Sequence, residues 1–147
     1  MMMRMPNRRM TRNKRRQMMS RFRKIDSRPE LVLREQLGRV GVSFETYLQI
    51  PGTPDVVIEA ARLAVFVHGC FWHGCPLHYR PPRSKQGYWS AKLARNIQRD
   101  RAVANELRAM GWCRIVVWEC QVMKDPERVV ARILNRMARA KTAVSNR

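Results

Sequence analysis

Acidic residues are scarce in this chain. Eleven Asp and Glu stand against thirty Lys and Arg, a formal charge of +19 over 147 residues. An excess of that size repels itself in a compact chain, so folding does not require it. It points to a partner of opposite sign, either nucleic acid or an anionic membrane. Long hydrophobic runs are absent as well. The longest aliphatic stretch covers residues 63–67, far short of the roughly 20 apolar residues a spanning helix needs. That weakens the membrane reading. No hydrophobic signal core follows Met1, and residues 1–24 lack the serine content and amphipathic period of a transit peptide. The expected compartment is the cytoplasm, with association to the nucleoid. In that reducing environment the four cysteines read as thiols or metal ligands rather than disulfides.

What is present begins with charge. Residues 1–24 hold ten Lys and Arg and no acid, without hydrophobic periodicity. That is the pattern of a flexible basic arm, or of an over-extended start. The folded domain is expected over residues 25–138, followed by a basic tail at 139–147. Ser27-Arg28-Pro29-Glu30 is a capping box with proline in the first turn, and Leu33, Leu37 and Val40 continue at helical spacing up to Gly41. Residues 42–47 alternate and read as a first strand. A turn over 50–54 leads into a second strand at 55–59 and a third at 63–68, and residues 69–83 are expected to form an irregular loop. Helical spacing runs over 88–110, with Gly111 as its stop. Residues 112–118 form a nearly continuous apolar run, as expected of a strand buried on both faces. Asp125-Pro126 opens a last helix. The order α-β-β-β-α-β-α describes one α/β domain around a small mixed sheet flanked by helices.

Connectivity predicts a metal site. Strands three and four are joined through a long helix, which makes them parallel. Parallel strands end at one sheet edge, so Cys70 and Cys120, each just past a strand end, are expected to meet. Cys75 and His78 lie in the loop after Cys70. Three thiolates and an imidazole suit a closed tetrahedral zinc site that staples a loop poor in hydrophobic residues. The alternative is a set of small buried thiols and a surface histidine. Cys113, at the other edge, is expected in the core.

The same edge gathers groups suited to phosphodiester cleavage. Asp55 enters the second strand, where a carboxylate can hold a divalent metal rigidly. His68 and His73 flank the cysteines without fitting the zinc set, and histidine exchanges protons near neutral pH. Each alone could equally be a turn residue or a hydrogen-bonding loop residue. Phe71 and Trp72 are adjacent large rings in a Cys/His loop and cannot both point inward. Beside a basic surface, such rings can stack on bases or wedge between them. Trp89 has a core alternative. Lys92, Arg95, Arg99 and Arg101 are expected either to meet phosphate or to form a solvated helix face.

In this pattern the chain resembles the very-short-patch-repair (Vsr) mismatch endonucleases, which are related to the restriction-endonuclease-like fold. The resemblance covers residues 20–137. It is carried by Pro29-Glu30, Pro51-Gly52-Thr53-Pro54-Asp55 and Phe66-Val67-His68-Gly69-Cys70-Phe71-Trp72-His73-Gly74-Cys75. Tyr88-Trp89, Asn96-Ile97-Gln98-Arg99-Asp100 and Val117-Trp118-Glu119-Cys120 follow in order. The resemblance implies a monomeric enzyme that nicks one strand of double-stranded DNA beside a T:G mispair. It implies Mg²⁺ at Asp55 and the Val67 carbonyl, His73 as base oriented by Asp100, His68 at the scissile phosphate and Glu30 in support. It also implies Zn²⁺ at Cys70, Cys75, His78 and Cys120. Phe71, Trp72 and Trp89 would be the wedge, with Lys92, Arg95, Asn96 and Arg99 on the DNA. Two readings compete. One is a zinc-stapled nucleic-acid-binding protein without catalysis. The other is a restriction-type nuclease, against which stands Phe66-Val67-His68 where an acidic-x-lysine element is usual.

Overall fold

The computed structural model describes residues 27–46 and 48–145, with side chains described up to residue 140. The basic arm at 1–24 lies outside the described residues. Helix α1, Arg28–Arg39, starts at Ser27 with a proline in its first turn and buries Leu33, Leu37 and Glu30. The expected capping box is only half formed. The Ser27 side chain makes no cap bond, while the Glu30 carboxyl turns back toward Ser27. At the other end the chain closes in a Schellman arrangement. Gly41, at φ 78, donates to the Gly38 carbonyl at 3.1 Å, and Val42 donates to Leu37 at 3.0 Å.

The sheet has three strands in the order β1-β2-β3. Strand β1, Val56–Ile58, pairs antiparallel with β2, Leu63–His68, through a 3-10 turn at Glu59–Ala61. Strand β3, Cys113–Trp118, pairs parallel with β2 from Leu63↔Cys113 to His68↔Trp118. The strand expected at 42–47 is reduced to one antiparallel bridge, Glu45↔Val57. Strand β1 is three residues long before the chain turns, and both bonds of the bridge fall on its middle residue, Val57. Val42 and Phe44 still pack on the main core, as the alternation indicated.

A second correction concerns burial. The strand enclosed on both sides is β2, whose residues are buried at five of six positions, whereas β3 alternates. β3 is the end of the sheet, and only Ile115 and Val117 are fully covered. The expected loop also contains a short helix α2, Cys70–His73, before the long α3, Gln86–Ala109. A further short helix α4, Glu119–Lys124, precedes α5, Pro126–Ser145. Helix α5 thus continues past position 138, where the basic tail was expected to begin.

Three layers result. On one face of the sheet, α1, α4 and α5 cover Val56, Ile58, Leu63, Val65, Ile115 and Val117. On the other, α3 packs through Leu107 against Ala64 and Phe66. Alternation along β2 therefore turns Leu63 and Val65 to one layer, and Ala64, Phe66 and His68 to the other. The turn before β1 is packed hard on this second layer. Gly52 sits at φ 80, and a Cβ there would meet Val103 at 2.5 Å and Phe66 at 2.9 Å, so only glycine fits. Among the described residues no helix is long and apolar enough to cross a membrane.

Candidate active site and metal centre

Antiparallel β1 begins where β2 ends, and parallel β3 ends there too. One sheet edge thus collects Asp55, His68, Cys70 and Cys120. Asp55 lies one residue before β1, tied by its N–H to the Val65 carbonyl at 3.0 Å. Its Oδ2 accepts the Val67 N–H at 2.7 Å. Val67 is two residues beyond Val65, so its carbonyl projects to the same side of β2, past the end of β1. Arg34 of α1 donates through Nε and Nη2 to the Asp55 carbonyl at 3.3 and 3.1 Å.

Glu30 lies one helical turn before Arg34, with their charged groups 3.8 Å apart. Burial, and then the negative charge of Asp55, push the Glu30 carboxyl from 4.5 up to about 8. Burial also raises Asp55, against the Val67 N–H and Arg34, which pull it down. Glu30 Oε2 is buried with no hydrogen-bond partner among the described residues. The buried Glu30 carboxyl with its unpartnered oxygen, the half-buried Asp55 carboxylate and a nearby main-chain carbonyl form an all-oxygen donor set, which fits a hard divalent cation such as magnesium.

On the α3 side of the edge, the His68 and His73 rings stack at 3.8 Å and 12°. His73 Nδ1 lies 2.7 Å from Asp100 Oδ2 on α3. A carboxylate on Nδ1 fixes the tautomer and leaves Nε2 as the free proton acceptor. His68 is buried between Phe66 and Trp118. Burial, and then the charge of His73, lower it to about 4, so it stays neutral at physiological pH.

Just beyond, the ligand atoms of Cys70, Cys75, His78 and Cys120 lie within 4.8 Å of one another. The expected meeting of Cys70 and Cys120 is therefore observed. Cys75 Sγ stands 3.8 Å from Cys120 Sγ and 3.8 Å from His78 Nδ1. Two sulfurs at ~2.3 Å from a tetrahedral ion would be about 3.8 Å apart, so the cluster has the dimensions of a filled site. Burial pushes the Cys70 thiol up to about 12. At Cys75 burial is outweighed by the backbone N–H groups of Leu77 and His78 and by the His78 ring, which bring it to about 7. Cys113, paired with Leu63 at the opposite edge, packs on the core and takes no part.

Phe71, Trp72, Tyr88 and Trp89 gather on α2 and the start of α3, the first three exposed and Trp89 half-buried. Phe71 is 36% and Trp72 47% exposed, so neither is a core ring. Trp89 lies 5.3 Å from Phe71 and 6.2 Å from Trp72. Lys92 Nζ sits 4.7 Å above the Trp72 ring, and Asn96 Nδ2 holds the Trp72 carbonyl at 2.8 Å. Arg95 and Arg99 are exposed further along α3.

Two residues at the site escape sequence reasoning. Arg34 carries the Asp55 backbone, and its only signal was an arginine one turn after Glu30. Glu119 accepts the Cys70 N–H through Oε1 at 3.0 Å, joining the thiol cluster to the end of β3. Its signal was its place beside Cys120.

The family model described as DNA mismatch endonuclease Vsr matches residues 8–78. The chain is 39% identical over 130 residues to the Type II nicking enzyme V.XorIIP of Xanthomonas oryzae pv. oryzae, covering 86% of this chain and 94% of that protein. It is 38% identical over 121 residues to the Type II nicking enzyme V.NaeI of Lentzea aerocolonigenes, covering 78% and 73%. With the DNA mismatch endonuclease Vsr of Escherichia coli it shares 37% identity over 83 residues, 54% of this chain and 53% of that one. Similarity at this level across nearly the whole length of a nicking enzyme, together with the family match, means that the chain belongs to the Vsr family and is a DNA endonuclease, a hydrolase.

Proposed function

We propose that the protein nicks one strand of double-stranded DNA next to a T:G mispair by magnesium-dependent hydrolysis. The observation that carries this reading is the convergence at one sheet edge of an all-oxygen pocket, Asp55 with Glu30, and a carboxylate-oriented histidine, His73 with Asp100. Asp55 and the Val67 carbonyl would hold Mg²⁺, with Glu30 in support. Bound there, the ion would polarise the scissile phosphate and offset its charge. His73 takes a proton from the attacking water at Nε2, and Asp100 stabilises the imidazolium that forms. The water oxygen bonds to phosphorus as the bond to the leaving sugar oxygen breaks, and that oxygen takes a proton from solvent water. Neutral His68 offers the phosphate a ring N–H.

A zinc ion held by Cys70, Cys75, His78 and Cys120 would be structural, since four protein donors leave no open position. Phe71, Trp72 and Trp89 would wedge into the stack. A mispair lowers the unstacking cost, so the wedge itself selects. Lys92, Arg95, Asn96 and Arg99 are assigned to the DNA backbone and the mispaired step. One active edge per chain suits a monomer making a single nick. The basic residues 1–24 would add a non-specific grip, and the cytoplasmic nucleoid is the proposed location.

The experiment is a nicking assay with Mg²⁺ on a panel of duplexes differing only at one base pair. The expected result is a nick in one strand of the T:G duplex, with the matched duplex largely intact. His73→Ala should slow it by about 10²- to 10⁴-fold, the usual worth of a general base. Equal cutting of matched and mispaired duplexes would overturn the mispair assignment, and a His73→Ala enzyme as fast as the parent would overturn the base.

A further inference from the structure

A second basic feature belongs to neither cluster. Helix α5 runs beside the free edge of β3, leaving an open groove of about 600 Å³ lined by Arg114 on the strand and Arg128, Arg132, Arg136 and Arg139 on the helix. The helical four recur at intervals of four, four and three residues, so they share one face. At 1.5 Å per residue they span roughly 16 Å of helix axis. Among the described residues no carboxylate stands within ion-pair distance of any of the five.

Two details sharpen this. Arg114 lines the groove from the strand, but its guanidinium lies over the Phe66 ring at 5.7 Å, on the α3 face of the sheet, so the helical arginines carry the charge of the groove. Arg132 is committed to structure, because its Nη2 donates to the Val116 carbonyl at 3.2 Å and so covers part of the free strand edge. The remaining arginines on α5 are exposed. Like charges held together repel, and of these four helical side chains it is Arg132 that is bonded to the fold among the described residues.

We propose that this groove is a second track for the sugar–phosphate backbone of DNA, separate from the edge that carries the nicking site. Planar guanidinium forks match phosphate oxygens. Phosphates of one strand recur every ~3.4 Å along a duplex axis, so 16 Å of arginine faces about five of them. The substrate supplies such a polyanion at every encounter. The inference depends on DNA being the substrate and on nothing assigned to the mispair or the metals.

The test is the salt dependence of duplex binding, without added divalent metal, for Arg128→Gln/Arg136→Gln/Arg139→Gln. Arg132 is left in place so that the β3 edge stays covered. A control removes equal charge at three exposed positions elsewhere, Arg39→Gln/Arg108→Gln/Lys124→Gln. Three lost phosphate contacts should make the slope of log K against log salt shallower by about 2.7. Between 50 and 200 mM salt the parent should then lose about 40-fold more affinity than the groove variant. The effect should be equal on matched and mispaired duplexes, with the control close to the parent. An unchanged slope, or an equal change in the control, overturns the proposal. So does an unchanged slope accompanied by tighter binding of polyglutamate to the parent than to the variant, which would assign the groove to an acidic polypeptide. Nicking by the parent in the same preparation reports on the active site independently, so the two readings fail separately.

Discussion

Two clusters of metal-competent groups flank the end of β2, and they are built on opposite principles. The thiol cluster is assembled from two short helices, α2 and α4, and the loop after α2, its ligands spread from Cys70 to Cys120. The carboxylate cluster is assembled from a helix and the residue that enters β1, elements that the core already fixes, and Arg34 holds the Asp55 backbone. On the proposed reading the first would need its ion to hold its shape, while the second is held by the core without one, its Glu30 carboxyl pushed up by burial and by Asp55. A metal would on that reading contribute to folding in one cluster and to chemistry in the other.

The largest effect expected from this contrast is on the thiol side. Cys120→Ser should bind well under one equivalent of zinc by elemental analysis and melt far below the parent, or aggregate. Structural zinc contributes an apparent ~10–16 kcal/mol in small domains, as much as the entire stability of a typical fold, about 5–15 kcal/mol. Cys113→Ser, half-buried at the other sheet edge, should retain its metal and most of its melting temperature. If both variants melted alike, the contrast would dissolve.

Asp55→Asn should do the reverse. Its amide oxygen can still accept the Val67 N–H, and a neutral side chain relieves the crowding with Glu30. We expect nicking to fall below detection in Mg²⁺ while duplex affinity holds and the metal-free melting temperature is equal to or above the parent's. A variant that nicks at the parental rate removes Asp55 from the chemistry. One that loses stability as Cys120→Ser does would show that both clusters are structural.

The thiol cluster was legible in the sequence for a reason that the fold bears out. A long helix between two apolar runs dictates parallel strands, and parallel strands share an edge, so Cys70 and Cys120 had to meet. The stacking of His68 on His73 and the bond from His73 to Asp100 are tertiary facts that spacing does not encode. Alternation at residues 42–47 reported correctly which side chains face the core, yet it cannot reveal that the neighbouring strand is only three residues long. The apolar run of β3 did not distinguish an edge strand from a central one, because α5 covers one face and α3 approaches the other. Helix α4, six residues long, is too short for any periodic pattern. Arg34 and Glu119 were missed because both bond to backbone, which no motif records.

The smallest effect tests the raised Glu30 carboxyl directly, through pH. Glu30 titrates from 4.5 in its ordinary state to about 8 in the fold, raised by burial and by Asp55. A raised acid binds its proton more tightly when folded. Its contribution to stability is therefore complete below about 4.5 and is lost as pH climbs through about 8. Without magnesium, the parent's melting temperature should carry a downward component across that window, and Glu30→Gln, which cannot ionise, should lack it. The opposing component from His68, depressed to about 4, is present in both proteins, because it appears as pH rises from 4 toward 6.5, and it cancels in the difference. Melting curves of the two proteins from pH 5 to 8 should therefore diverge steadily in favour of Glu30→Gln. Magnesium, by neutralising the parental pair, should narrow the gap at the alkaline end. Parallel curves would mean that the two carboxylates do not share their burden, and the carboxylate cluster would lose the property that sets it apart from the thiols.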